Sequence, residues 1–83
     1  MMHSVDVLEE ALELARQSGF EVRHEWLGEA TGGACRIGSR RLLFVDLSLT
    51  ADEQLQQVVT ALRACEVRDW PLSTSRALQR LLS

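Results

Sequence analysis

Few side chains in this 83-residue chain could carry chemistry, and their spacing narrows the options quickly. The chain holds two histidines, His3 and His24, two cysteines, Cys35 and Cys65, and nine cations that are all arginine. His24 falls between Val22 and Trp26 on an alternating segment, a placement open to a metal ligand or a pKa-tuned acid. No second His, Cys or carboxylate stands at metal-ligand spacing on that face, so a structural histidine at a sheet edge is the favoured reading. His3 lies close to the N-terminus and carries almost no signal. Cys35 has Arg36 beside it, which would stabilise a nucleophilic thiolate. Both cysteines nevertheless fall on apolar-face positions, where small, buried, inert thiols are the default.

Three arginines cluster around the centre of the chain, at Arg36, Arg40 and Arg41. The two-residue hairpin expected at Gly38-Ser39 would set Arg36 directly across from Arg41, and like charges in that position destabilise a sheet unless something negative sits beside them. Glu21 and Glu25 of the preceding strand could supply that charge internally. The alternative is an anion or an acidic partner, for which the guanidinium fork is well shaped. Trp26 could likewise be a partner-binding anchor, although with four aromatic residues in the chain a place in the core is favoured. Four of the five glycines lie between Gly28 and Gly38, but Gly32-Gly33 leads into a strand and the chain has no lysine, so turn chemistry explains them better than a phosphate cradle.

The elements that must position these residues follow from periodicity. Val5, Leu8, Leu12 and Ala15 recur at helical spacing over residues 5–18. Ser4 or Asp6 can cap that helix, Asp6 and Glu9 resemble a capping box, and Gly19 supplies a left-handed stop from which Phe20 folds back. Phe20, Val22, His24 and Trp26 then alternate with Glu21, Arg23 and Glu25 as a strand with one polar face. A second strand begins at Ala34, and a third runs from Arg40 to about Leu47. In the third, Leu42 and Phe44 lie on one side and Leu43 and Val45 on the other, the pattern of a strand covered on both faces. Thr50 and Glu53 form a T-x-x-E capping box opening a helix to about Glu66, with Leu55, Val58, Val59 and Leu62 as its apolar stripe. Trp70-Pro71 interrupts regular structure. A short helix then follows Ser73, with Leu72 stapled onto Ala77 and Leu78, Leu81 and Leu82 as an apolar edge.

Composition bounds the function. A net charge of −3 disfavours a general nucleic-acid binder, although residues 1–30 sum to −5 and residues 31–50 to +2. The longest aliphatic and aromatic run, Leu42-Leu43-Phe44-Val45, is far below the roughly 20 residues of a membrane helix. No signal-like N-terminal stretch is present and the cysteines are not at redox or metal spacing, so a reduced, cytoplasmic protein is expected.

The run Gly32-Gly33-Ala34-Cys35-Arg36, the strand Leu43-Phe44-Val45-Asp46-Leu47 and the helix opening Glu53-Gln54-Leu55 resemble a family of short uncharacterised bacterial proteins, a GG-x-C-R, LFVD and EQL pattern. Over residues 5–66 the element order is also similar to the front half of minimal gluzincin-type metalloproteases. Where that family carries H-E-x-x-H, this chain has Val59-Thr60-Ala61-Leu62-Arg63, and neither Val59 nor Arg63 can donate to zinc. The resemblance therefore implies a non-catalytic relative or a shared scaffold, and no site residue carries over.

The sequence thus predicts one small α+β domain over 1–83: a helix, a three-stranded antiparallel meander, a long helix packed on the sheet, and a short C-terminal helix. It predicts a non-enzymatic protein-interaction module without cofactor or metal, self-associating as a homodimer or docking a protein partner, with no membrane or nucleic-acid role. The candidate surface comprises Trp26, Arg36, Arg40, Arg41, Leu78, Leu81 and Leu82. The alternative is a small anion-binding, ligand-binding or enzymatic domain built from the arginine hairpin and the glycine loop, with His24 and Cys35.

Overall fold

A computed structural model describes residues 3–27, 33–65 and 70–83. The elements run in the order α1 (Ser4–Gln17), β1 (Phe20–Glu25), β2 (Gly33–Ile37), β3 (Arg40–Asp46), α2 (Ala51–Ala64) and α3 (Arg76–Leu82). The glycine connection at 28–32 and the last turn expected for the second helix at Glu66 lie outside the described residues.

The α+β class is as expected, with three helices and a three-stranded sheet, but the sheet is mixed and not an antiparallel meander. Its order is β1-β3-β2, with β1 parallel to β3 and β2 antiparallel to it. The reason lies in β3. A central strand is hydrogen-bonded along both edges, and the strand with apolar residues on both faces gains most from that place. Seven residues separate Glu25 from Gly33, enough to step the roughly 10 Å across β3 to its far edge. A meander would have left β3 at the edge. The β2–β3 hairpin has the expected register, Ile37 with Arg40 and Arg36 with Arg41, and Gly38 at φ +61° adopts the positive φ that its turn position requires.

Alternation and register fix the two faces. Phe20 and Val22 of β1, Arg41, Leu43 and Val45 of β3, and Ala34 and Arg36 of β2 lie toward the helices. Leu43, Val45 and Phe20 join Leu8, Leu12 and Ala15 of α1 and Leu55, Val58 and Leu62 of α2 in one core. The opposite face carries Glu21, Arg23 and Glu25, then Arg40, Leu42 and Phe44, then Cys35 and Ile37. Leu42 is buried but lies outside that core, on the face that carries Glu21, Arg23 and Arg40 and in register with Glu21.

The helix ends differ in how closely they follow their sequence signals. Thr50 and Glu53 complete the capping box of α2 in both directions, at 3.2 Å to the Glu53 N–H and 3.0 Å from the Thr50 N–H. At α1 the N-cap is His3 with no side-chain cap, because Ser4 Oγ donates instead to Asp52 of α2 and Asp6 is exposed. Gly19, at φ +95°, ends α1 as expected and Phe20 turns into the core. Ser75 caps α3, and its N–H and Oγ both donate to the Glu10 carboxylate of α1, at 2.7 and 2.5 Å. This clamp seats Leu78 and Leu82 in the core, whereas Leu72 is fully exposed and makes no staple.

If the helix-facing side of β3 carries the fold, Leu43→Ala should cost about 3 kcal/mol, since its cavity has rigid walls on all sides. Leu42→Ala, on the helix-free face, should cost about half that. Urea unfolding of both variants measures the difference, and equal losses would contradict the one-sided core.

Candidate groove beside the second strand

The arginines expected to act together are divided by the pleat. Arg40 lies on the helix-free face and pairs with Glu21 at 2.6 Å, with Arg23 also 3.8 Å from Glu21. These cations, Arg40 foremost through its hydrogen bond, hold the Glu21 carboxyl below its ordinary pKa. Glu21 is thereby spent away from Arg36 and Arg41, on the other face. Arg41 donates to the Ser18 carbonyl at 3.2 Å and stacks over the Phe20 ring at 4.4 Å, so its guanidinium is held in place. Arg36 is exposed. Among the described residues no carboxylate lies within 4 Å of either.

Arg36 and Arg41 line a cleft of about 350 Å³ together with Phe20, Ala34, Cys35 and Cys65. Both cysteines are exposed free thiols, correcting the expectation that they are buried: Cys35 is on an edge strand and Cys65 is the C-cap of α2. A second groove, of about 470 Å³, continues from Ala34 along the flank of α2, lined by Gln56, Gln57, Thr60, Ala61 and Ala64, and reaches Glu53. The two meet at Ala34 and lie end to end as a channel beside β2, with arginines at one end and a glutamate at the other.

The backbone beside this channel is also available. In a two-residue hairpin the pair next to the turn exchanges both backbone bonds, so Ile37, Cys35 and Gly33 bond inward to β3. Ala34 and Arg36 then direct their N–H and C=O groups outward, and among the described residues no strand pairs with them. Where β2 ends, Gln57 Oε1 takes over and accepts from the Asp46 N–H at 3.0 Å, closing the ladder of β3 on that side.

Asp46 organises the same end of the sheet. Its Oδ1 accepts from the Ser48 hydroxyl at 2.7 Å, the Ser48 N–H at 2.9 Å and the Leu27 N–H at 3.3 Å. The Ser48 bonds, with the Leu27 bond behind them, outweigh burial and hold the Asp46 carboxyl below its ordinary value.

The other sequence candidates do not converge here. Leu78 and Leu82 are core residues and Leu81 is partly buried against them, because α3 folds back onto α1 and α2; the expected apolar edge is internal. Trp26 is 75% exposed just beyond β1, not in the core, and stands at the opposite end of the sheet from Arg41. His24 is exposed and in register with Val45, four residues along from the Phe20–Arg41 pair, or roughly 13 Å. Trp70 is half-buried and packs against the core. The residues missed from sequence are Ala34, Gln57, Thr60, Ala61 and Ala64. For the α2 residues the signal is a second stripe, Gln57, Thr60, Ala61 and Ala64, polar or small and beside the large apolar one.

Among the described residues no three His, Cys, Asp or Glu side chains could hold a metal ion, and no helix is long and apolar enough to cross a membrane. No family model, curated protein or solved structure matches the chain.

The Asp46 turn gives a pH test. Its folded pKa lies below its unfolded value of about 3.8, so its contribution is complete above that pH and disappears as pH falls through the folded value. Asp46→Ala should lower Tm at pH 7, and the gap to the native protein should narrow below about pH 3.8. A gap constant down to pH 2.5, about a unit lower still, would show that the charge is not what stabilises the turn.

Proposed function

We propose that this chain is a small non-enzymatic interaction module that holds an extended segment of a partner protein along the outer edge of β2. The observation that carries this is the pairing of outward Ala34 and Arg36 backbone groups with a groove of small and polar side chains directly beside them. Strand addition takes its affinity from main-chain hydrogen bonds and its selectivity from alternate side chains entering a groove, and both parts are in place. Ala34, Ala61 and Ala64 leave room for those side chains.

β1 is a poorer edge. Glu21, Arg23, His24 and Glu25 crowd it with charge and polarity, the usual protection against unwanted pairing. β2 has a single charged residue, Arg36.

Two exposed, unpaired thiols fit a reducing compartment such as the cytoplasm. A second reading, a small anion held in the Arg36–Arg41 cleft, is favoured by those two cations and uses the same end of the channel. The enzymatic version of that reading loses His24, which is remote from the cleft.

Selection of binders from a random-peptide phage library, followed by amide shift mapping on the isotope-labelled protein, tests the proposal. Binders should shift the Ala34 and Arg36 amides and weaken about tenfold when the backbone nitrogens facing β2 are methylated. Ala34→Pro, which removes one outward N–H at an edge position where proline is tolerated, should abolish the shifts with the fold intact. Binders that map to the helix-free face, or that ignore both changes, would reject the proposal.

A further inference from the structure

We propose that the segment docked on β2 is acidic and runs antiparallel to it, placing an Asp or Glu side chain opposite Arg36 at the mouth of the Arg36–Arg41 cleft. This rests on the strand-docking reading above and specifies its partner. Three observations carry it.

The first is charge that no described carboxylate compensates. Arg36 and Arg41 are cross-strand neighbours on one face, a destabilising arrangement without an anion, and the nearest carboxylate of the sheet, Glu21, is engaged by Arg40 and Arg23 on the other face. The C-terminus of α2, whose cap Cys65 lines the same cleft, brings about half a unit of negative charge, well short of two guanidinium charges. Arg41 is already fixed by Ser18 and Phe20, so a bound anion need not order it.

The second is polarity along the channel, which runs from the arginines to Glu53. An antiparallel partner enters at Arg36 and leaves past Gly33, toward Glu53. Its acidic side chain therefore belongs near its N-terminal end, and a free C-terminal carboxylate would arrive beside Glu53. To place a terminal carboxylate at Arg36 the partner would have to run parallel to β2, the less stable pairing.

The third concerns a second copy of this chain. Two β2 strands can pair about a two-fold axis at Cys35, which sets Ala34 opposite the partner's Arg36. That assembly gathers four arginines, Arg36 and Arg41 from each copy, on one side of a continuous sheet with no described acid among them. The charge that a copy lacks is the one an acidic segment supplies.

The test uses the full chain and three heptapeptides titrated by amide shifts. The acidic probe is Ser-Thr-Val-Glu-Val-Thr-Ser with both ends blocked. The neutral probe replaces Glu by Gln, and the third is the neutral peptide with a free C-terminal carboxylate. The acidic probe should shift the Ala34 and Arg36 amides and bind about tenfold tighter than the neutral one. Raising salt from about 50 to about 300 mM should remove most of that preference. Arg36→Gln, an exposed side chain with no described ion-pair partner, should keep the fold and bind the acidic and neutral probes equally.

Equal affinity for acidic and neutral probes, with the same amides shifting, would overturn the acidic partner and leave strand docking standing. Shifts at Ala34 and Arg36 from none of the probes would overturn both. Tightest binding by the free carboxylate would reject the antiparallel direction, and a β2-paired dimer that the acidic probe does not dissociate would make a second copy the occupant.

Discussion

The structure depends on one strand being hydrogen-bonded on both edges while Leu43 and Val45 on its helix-facing side are fully buried. β3 contributes Leu43 and Val45 to the core, both without exposed surface, and every other element is placed by its relation to that strand. β1 must cover one edge and β2 the other. Because β2 is tied to β3 by a two-residue turn, β1 is left the far edge and must run parallel. α1 and α2 then close over the same face, and α3 adds Leu78 and Leu82 where a chain of this size would otherwise be short of core.

The same strand decides what its arginines do. Arg40 and Arg41 are adjacent in sequence and opposite in the sheet, so one enters an ion pair on the helix-free face while the other stacks on Phe20 beneath the helices. The pleat thus separates a neutralised cation from one whose described partners are a carbonyl and an aromatic ring. Arg36 follows Arg41 because the hairpin register leaves it no choice. The electropositive end of the channel is therefore a direct product of where the turn falls. A shift of one residue would put Arg36 on the other face, nearer Glu21.

Local features were legible in the sequence because their causes are local. The capping box at Thr50 and Glu53, the stop at Gly19, the register set by Gly38-Ser39 and the stripe of Leu55, Val58, Val59 and Leu62 each depend on residues a few positions apart. Strand order was not legible, since the connection after β1 is long enough for a meander or for a step across β3, and pairwise patterning does not distinguish them. The expected surface of Leu78, Leu81 and Leu82 failed for a related reason. An apolar stripe announces burial without saying whether the cover is internal, and here the Glu10–Ser75 clamp makes it so. Trp26 and the cysteines went the other way: burial decays along β1, Cys35 lies on the uncovered face of an edge strand, and Cys65 caps the exposed end of α2.

In the proposed docking the partner meets an edge and not the helix-free face. That face carries exposed Ile37 and half-buried Phe44 beside buried Leu42, but these lie among the charges of Glu21, Arg23 and Arg40. A partner seated there would have to accommodate the Glu21–Arg40 pair. An added strand at β2 asks for no such accommodation. Its backbone bonds meet groups that no described strand pairs with, and its side chains enter the groove lined by Ala34, Ala61 and Ala64. Ala34 and Ala64 are exposed and Ala61 lies at the edge of the core, so larger side chains at the first two would narrow that space without adding to the core.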